Sequence, residues 1–512
     1  MKKMRRVLGI VLATMMVLAM GLTASAASTT SNLTINSKTG NHTYEVYQLL
    51  TGTFETLNGK NVLTNEAFGT GVTDALKTEY GNDAYKFLEA IDGKTGDEVL
   101  ALVAGKIQSP VTVTDPYSLR GLAKGYYLIK DQDNTLDETH DAYTKYILRV
   151  VDEDVENVVA KMDIPEVEKK VKETNDTTGA ITNWQDGADY DIGDKVPFQL
   201  STKVIDGEVE VNGQMVKVFD TYKTYELIFH DQMSKGLTFV PGSVRVYKNG
   251  VLLAGGYNIT APVKDVNGEN SELVISFADI KAAPVNAVAG DVITVEFEAE
   301  LNQDAVIGSM GNPNKVYLEF SNNPNDDGNG KPGKTPEDKV IVFTYELDVN
   351  KTDKEGKALQ GAGFSLYKEV PAGTAGAVVI DGKNYVQIGQ EITGVTTFEF
   401  KGIDAGNYRL VETTVPAGYN KAQDITFTVA ATYETLADDP KLLTLEVTNV
   451  DPATAQFSAD MSTGICETDV VNNQGIELPE TGGIGTTIFY VIGAALMIGA
   501  GVVLVTRRRM SR

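Results

Sequence analysis

Apolar and polar residues alternate along most of this chain. KVPFQLSTKV (Lys195 to Val204), DVITVEFEAEL (Asp291 to Leu301) and ITFTVAATY (Ile425 to Tyr433) put every second residue on an apolar face, the period of a half-buried strand. Turn clusters such as PGS, NPN and DAGN punctuate these runs. One zone departs from the rule. From Asn65 to Val103, EAFGTGVTDALKTEY and DAYKFLEAI carry Ala, Leu and Lys at helical spacing. Strands return at GYYLIKD and YTKYILRVV. The pattern predicts an all-β fold of tandem Ig-like β-sandwich domains, with some helix in the N-terminal domain.

The alternation fails at both ends. Lys2, Lys3, Arg5 and Arg6 precede an apolar run from Val7 to Leu22, followed by Ala24-Ser25-Ala26. A charged start, a short apolar stretch and a small-residue cleavage site read as a signal peptide over 1–26. Ile484 to Val505 has the length of a transmembrane helix, and Arg507, Arg508, Arg509 and Arg512 would hold its far end in the cytoplasm. Just ahead of that run lies Leu478-Pro479-Glu480-Thr481-Gly482.

Composition narrows the function. A formal net charge of -25 disfavours nucleic acid as a partner. The single cysteine, Cys466, cannot form an internal disulfide, so a secreted chain must be stabilised some other way. His42, His140 and His230 lie far apart and suggest no metal site. No catalytic triad spacing or phosphate loop is present, so neither an enzyme nor a cofactor is expected. Composition shifts divide the chain into an N-terminal domain (27–162), a second domain (163–346), a third (347–475) and a terminal segment (476–512). NNPNDDGNGKPGKTPEDK (Asn322 to Lys339) only partly imitates a calcium loop, with Lys334 where the bidentate Glu would stand, and reads as a solvated loop.

The second and third domains open alike. In a period-2 strand Val167, Lys169 and Val171 share one face, as do Leu347, Val349 and Lys351. Each domain thus points a lysine at its core. The closing strands do the same with an amide. Val316, Leu318, Phe320 and Asn322 share a face, as do Thr468, Val470 and Asn472, and a further ladder, Leu445, Val447 and Asn449, ends the same way. A buried, unpaired lysine costs several kcal/mol or loses its proton. The neutral amine can attack an Asn carboxamide and release ammonia, leaving an isopeptide bond, if a buried carboxyl group polarises the amide and shuttles a proton. Asp231 and Glu412 are the candidates. Periodicity alone leaves the opposite register open, with these lysines in solvent and the Asn residues forming turns.

The terminal motif resembles the tripartite sorting signal of Gram-positive surface proteins, which sortase cuts between the Thr and the Gly. IGDKVPFQL, HDQMSKGLTF and VYLEFSNNP resemble the isopeptide-forming domain of fimbrial shaft proteins. LDVNKTD, LQGAGFSLYK, GIDAGNYRLVETTVPAGYN and VVNNQGIELPETGG resemble a Cna B-type domain ending in a sorting signal. With HTYEVYQLLTGTF near the N-terminus, the likeness to major pilins of sortase-assembled pili covers nearly the whole chain.

That resemblance implies Lys169 joined to Asn322 with Asp231 assisting. It also implies Lys351 joined to an Asn with Glu412 assisting, the Asn being Asn472 or Asn449. Asn472 is preferred, because such domains end on an Asn-bearing strand shortly before the motif. Shaft pilins also carry an acceptor lysine in a Tyr-Pro-Lys motif. Val158-Val159-Ala160-Lys161 stands at the corresponding place, the end of the first domain, but departs from that motif in lacking the Tyr and the Pro; Lys161 is the implied acceptor by position, with Lys170 and Lys172 as alternatives. The implied function is a structural shaft subunit whose partners are sortase, neighbouring subunits and peptidoglycan. The alternative is a monomeric wall-anchored adhesin, and a host or matrix ligand stays open in either case.

Overall fold

The structure, a computed structural model, describes residues 30–37, 41–57, 60–152, 155–160, 162–211, 214–326 and 331–475. The expected signal peptide, Lys161, the 478–482 motif and the apolar run after it lie outside the described residues. Among the described residues no helix is long and apolar enough to cross a membrane.

In the first domain Tyr44–Leu57 is the central strand, hydrogen-bonded to Lys60–Phe68 on one side and to Gly125–Asp131 on the other. A smaller sheet runs in the order Ser118–Ala123, Thr30–Ser37, Val155–Ala160. The helical zone resolves into three short helices, Asp74–Glu79, Ala84–Ile91 and Gly96–Val103. Gly81, Asn82 and Gly93 take positive φ between them, a conformation that ends the first two helices and that glycine adopts freely and asparagine tolerates. Thr73, Asp83 and Thr95 cap their N-termini, Thr95 in a reciprocal box with Glu98. Phe87, Leu88, Ile91 and Val99 seal the helices onto the larger sheet.

The second domain is a sandwich. One sheet runs Gly187–Asp189, Asp338–Phe343, Asn312–Phe320, Leu227–Met233, Leu273–Phe277, Asn258–Thr260. The other runs Val251–Leu252, Arg245–Lys248, Val292–Leu301, Lys195–Lys203, Val167–Val171. Their inward positions, among them Phe198, Phe229, Phe277, Phe297 and Phe320, form one core. The loop read as solvated contributes more than expected. Gly333–Lys334 pairs with the Asn312–Phe320 strand, and Pro324 and Pro332 accept hydrogen bonds from Lys145 Nζ and the Glu138 N–H of the first domain. Its backbone groups need partners where they are covered, and the neighbouring domain supplies them.

The third sandwich sets Tyr345–Asp353 between Thr397–Ile403 and Ile465–Asn472, facing a six-stranded sheet that runs from Val378–Ile380 to Leu442–Asp451. The first and last strands of this domain are parallel neighbours, with Lys351 opposite Val470 and Asp353 opposite Asn472. The chain passes from the second domain's last strand, ending at Phe343, to the third domain's first, starting at Tyr345, across Thr344 alone.

Candidate isopeptide sites

Alternation carries Lys169 inward on the edge strand Val167–Val171, where it is 0% exposed. Its ammonium nitrogen makes a very short contact with Asp231 Oδ2, itself 0% exposed on the facing sheet. The ring centroids of Phe198 and Phe297 lie 5.1 and 5.2 Å from the nitrogen and make its surroundings apolar. Burial pulls the Lys169 amine below the ordinary lysine range, and burial pushes the Asp231 carboxyl above the ordinary aspartate range, each against the attraction of the other. The pair is thereby driven toward a neutral amine beside a neutral acid.

The amide at this pair is Asn314. Leu227–Met233 and Asn312–Phe320 are adjacent antiparallel strands in which Asp231 faces Val316 and Met233 faces Asn314. Lys169 donates its backbone N–H to Asp338 Oδ2 at 2.6 Å, and Asp338 is itself opposite Val316. Asn314 is fully buried and lies against Asp231, close enough to favour its ionised form. Yet neither atom of its carboxamide, nor Asp231 Oδ1, completes a hydrogen bond of good geometry. A buried amide without partners is costly, and the carboxyl group that lies against it is the one that holds the Lys169 amine.

Asn322 is placed elsewhere, which corrects the expectation drawn from resemblance. Its side chain is buried, but its amide donates to the Leu136 carbonyl at 2.9 Å and its own carbonyl accepts from the Tyr143 N–H at 2.7 Å. Asn322 therefore fastens the first domain to the second. The inward ladder of this strand runs backwards as well as forwards, through Val316 to Asn314 and Asn312. That signal was present in the sequence, hidden because Asn-Pro-Asn reads by composition as a turn. Pro313 stays within the strand, and its carbonyl accepts from the Ser234 N–H at 3.0 Å.

In the third domain Lys351 is 0% exposed and donates to the Thr352 and Val470 carbonyls at 3.0 and 2.9 Å. Burial draws its amine below the ordinary range against the pull of Glu412. Glu412 is buried on the strand Gly406–Thr414, its Oε2 accepting from the Ala422 N–H at 2.6 Å. Its Oε1 accepts from Asn472 Nδ2 at 2.7 Å. Asn472 is buried and its Oδ1 is unpartnered. Asn449 is exposed, at φ 51°, and donates to Thr428 Oγ1. The structure thus brings Lys351, Glu412 and Asn472 together and leaves Asn449 on the outer surface.

Each set has the parts for amide transfer. In such a set the amine can attack the carbonyl carbon while its proton passes through the carboxyl group to the leaving amide nitrogen, so that the isopeptide bond forms and ammonia departs. Of the alternative acceptor lysines, Lys170 pairs with Asp186 at 2.5 Å, and Lys172 Nζ lies 4.5 Å from the Trp184 ring centroid.

Tandem sandwiches with buried lysine, acid and amide, ahead of an anchor motif, define a structural surface protein held at a cell wall. Residues 345–440 match the SpaA family, described as a prealbumin-like fold domain, and residues 470–511 match the LPXTG cell wall anchor motif. The chain is 28% identical over 414 residues to the trypsin-resistant surface T6 protein of Streptococcus pyogenes serotype M6, covering 69% of this chain and 70% of that protein. The solved structure of the T6 backbone pilin of that serotype, modular and three-domain, shares the fold. It is 20% identical, covers 87% of this chain and 99% of its own, and superposes with a TM-score of 0.52. The full-length major pilin SpaD of Corynebacterium diphtheriae covers 87% of this chain and 98% of its own at 18% identity and TM-score 0.48. Together the anchor motif, the domain match and the T6 surface protein support a surface protein anchored to the wall of a Gram-positive bacterium.

Proposed function

We propose that this chain is the shaft subunit of a covalently polymerised surface pilus, with its second and third domains each closed by a lysine–asparagine isopeptide bond. The bonds are Lys169 to Asn314, assisted by Asp231, and Lys351 to Asn472, assisted by Glu412. The observation that carries the reading is the pair of buried lysine, acid and amide sets, in domains that precede the anchor motif. Sortase cuts between Thr481 and Gly482, and the Thr481 acyl group passes to Lys161 of the next subunit or, at the base, to peptidoglycan. The chain is a structural protein and a substrate of sortase.

The third domain's bond would join neighbouring first and last strands, so tension entering at one end leaves at the other without shearing the sheet. The second domain's bond would tie one sheet to the other. Expression with a pilus-type sortase tests the assembly. A ladder of SDS-resistant multimers is expected, lost in Thr481→Ala and in Lys161→Ala. A single wall-linked band from the parent chain would contradict polymerisation and return the monomeric adhesin. A ladder surviving Lys161→Ala would move the acceptor to Lys170 or Lys172.

A further inference from the structure

Where the second and third domains meet, carboxyl groups crowd around one amine. Lys368 of the third domain is 1% exposed, and its Nζ lies 2.6 Å from Asp176 and 2.8 Å from Asp191 of the second domain. It also lies 2.5 Å from Asp404 of its own domain. Asp194 joins them, so that carboxyl oxygens of Asp176, Asp191, Asp194 and Asp404 lie within 4.8 Å of one another. The cation among them is the Lys368 ammonium.

The cluster continues inward. Asp189 is buried and accepts from the Ala405 N–H at 3.0 Å and the Tyr433 hydroxyl at 3.1 Å. Its own N–H donates to Glu173 at 3.0 Å. Asp191 accepts from the Asp404 N–H at 2.8 Å. The bonds to Asp404, Ala405 and Tyr433 cross from one domain to the other, and Asp404 Oδ2 is buried with no hydrogen-bond partner. Glu173, Asp189, Asp191 and Asp404 are buried and Asp176 and Asp194 half-buried, and one ammonium cannot balance six carboxylates there. Buried acids in that position take up protons instead.

We propose that this junction is a proton-loaded latch, which holds the second and third domains in one fixed arrangement while several of its carboxyls are protonated and slackens as they ionise. Burial raises Asp189, Asp191 and Asp404 above the aspartate range, Asp194 to about 6 and Glu173 to about 9. Burial works against the Lys368 charge, and Asp404, Asp191 and Asp176 around it overcome that and hold it charged. Burial keeps the neighbouring Tyr345, Tyr408 and Tyr433 phenols neutral. Acids raised in the folded state lend stability that is complete below their unfolded values and is lost as pH rises through the folded ones. Loosening therefore begins as Asp194 ionises and is greatest once Glu173 does. Lys169 and Lys351 have fewer carboxyls around them and are drawn toward neutrality by burial. Lys368 has several, stays an ammonium, and binds by charge.

The test uses the whole chain with Val251→Cys and Val379→Cys, at sites 69% and 70% exposed, one on each domain. The native Cys466 is buried and does not label. Spin-label distances are measured at about pH 5 and about pH 9.5, on either side of the expected window. A narrow distribution that broadens at the higher pH is expected for the parent. Glu173→Gln with Asp194→Asn, uncharged throughout, should stay markedly narrower than the parent at the higher pH. An unchanged parent distribution, or a double variant that broadens as the parent does, would overturn the latch.

Discussion

Asn472 donates its side-chain amide to Glu412 Oε1 across 2.7 Å, inside a domain whose first strand presents Lys351 beside the strand that carries Asn472. The acid holds the amide that the amine would attack. Glu412→Gln keeps the shape and removes the proton shuttle, so the third domain should form no bond. Closing the loop from Lys351 to Asn472 is worth about 5 kcal/mol by chain entropy, and the variant should unfold earlier by that order in calorimetry. A Glu412→Gln protein that keeps the parent's ammonia deficit and melting would contradict the role given to Glu412.

The second domain separates two asparagines. Asn314→Ala should restore one ammonia to the mass and expose that domain to protease. Asn322→Ala should leave the mass deficit of the second domain intact. It removes a hydrogen bond to the first domain, a loss of about 1–2 kcal/mol, visible as faster amide exchange around Leu136. The opposite pattern would restore Asn322 as the bonded residue.

Alternation put each lysine on a face with apolar neighbours but left the opposite register open, and the inward face and the roles of Asp231 and Glu412 came from the resemblance. Asn314 was hidden by its neighbour Pro313, whose composition suggests a turn, although the carbonyl ladder runs through it. The helical zone was legible in kind. Its division at Gly81, Asn82 and Gly93 depends on backbone conformations that helical spacing does not report. The Lys368 cluster left no trace in the sequence, since Glu173, Asp191, Lys368 and Asp404 have no shared spacing and meet only when two domains dock.

In the first domain, His42 is buried between Asp131 at 2.7 Å and Asp141 at 3.5 Å. Burial alone would lower it, but the two carboxylates overcome that and raise it to about 9. A raised histidine contributes stability that is full below its unfolded value and is lost as pH climbs through the folded one. The first domain should therefore weaken by about 3 kcal/mol between neutral pH and pH 10. Thermal melts followed by domain-specific proteolysis check this, and His42→Gln should flatten the dependence.

The central claim is that the two lysines are covalently closed, and intact mass reads it directly. The segment Ala27 to Glu477, purified without sortase, should weigh less than its sequence by two ammonias. Peptide mapping should place the links at Lys169–Asn314 and Lys351–Asn472. A mass equal to that of the sequence would contradict the account.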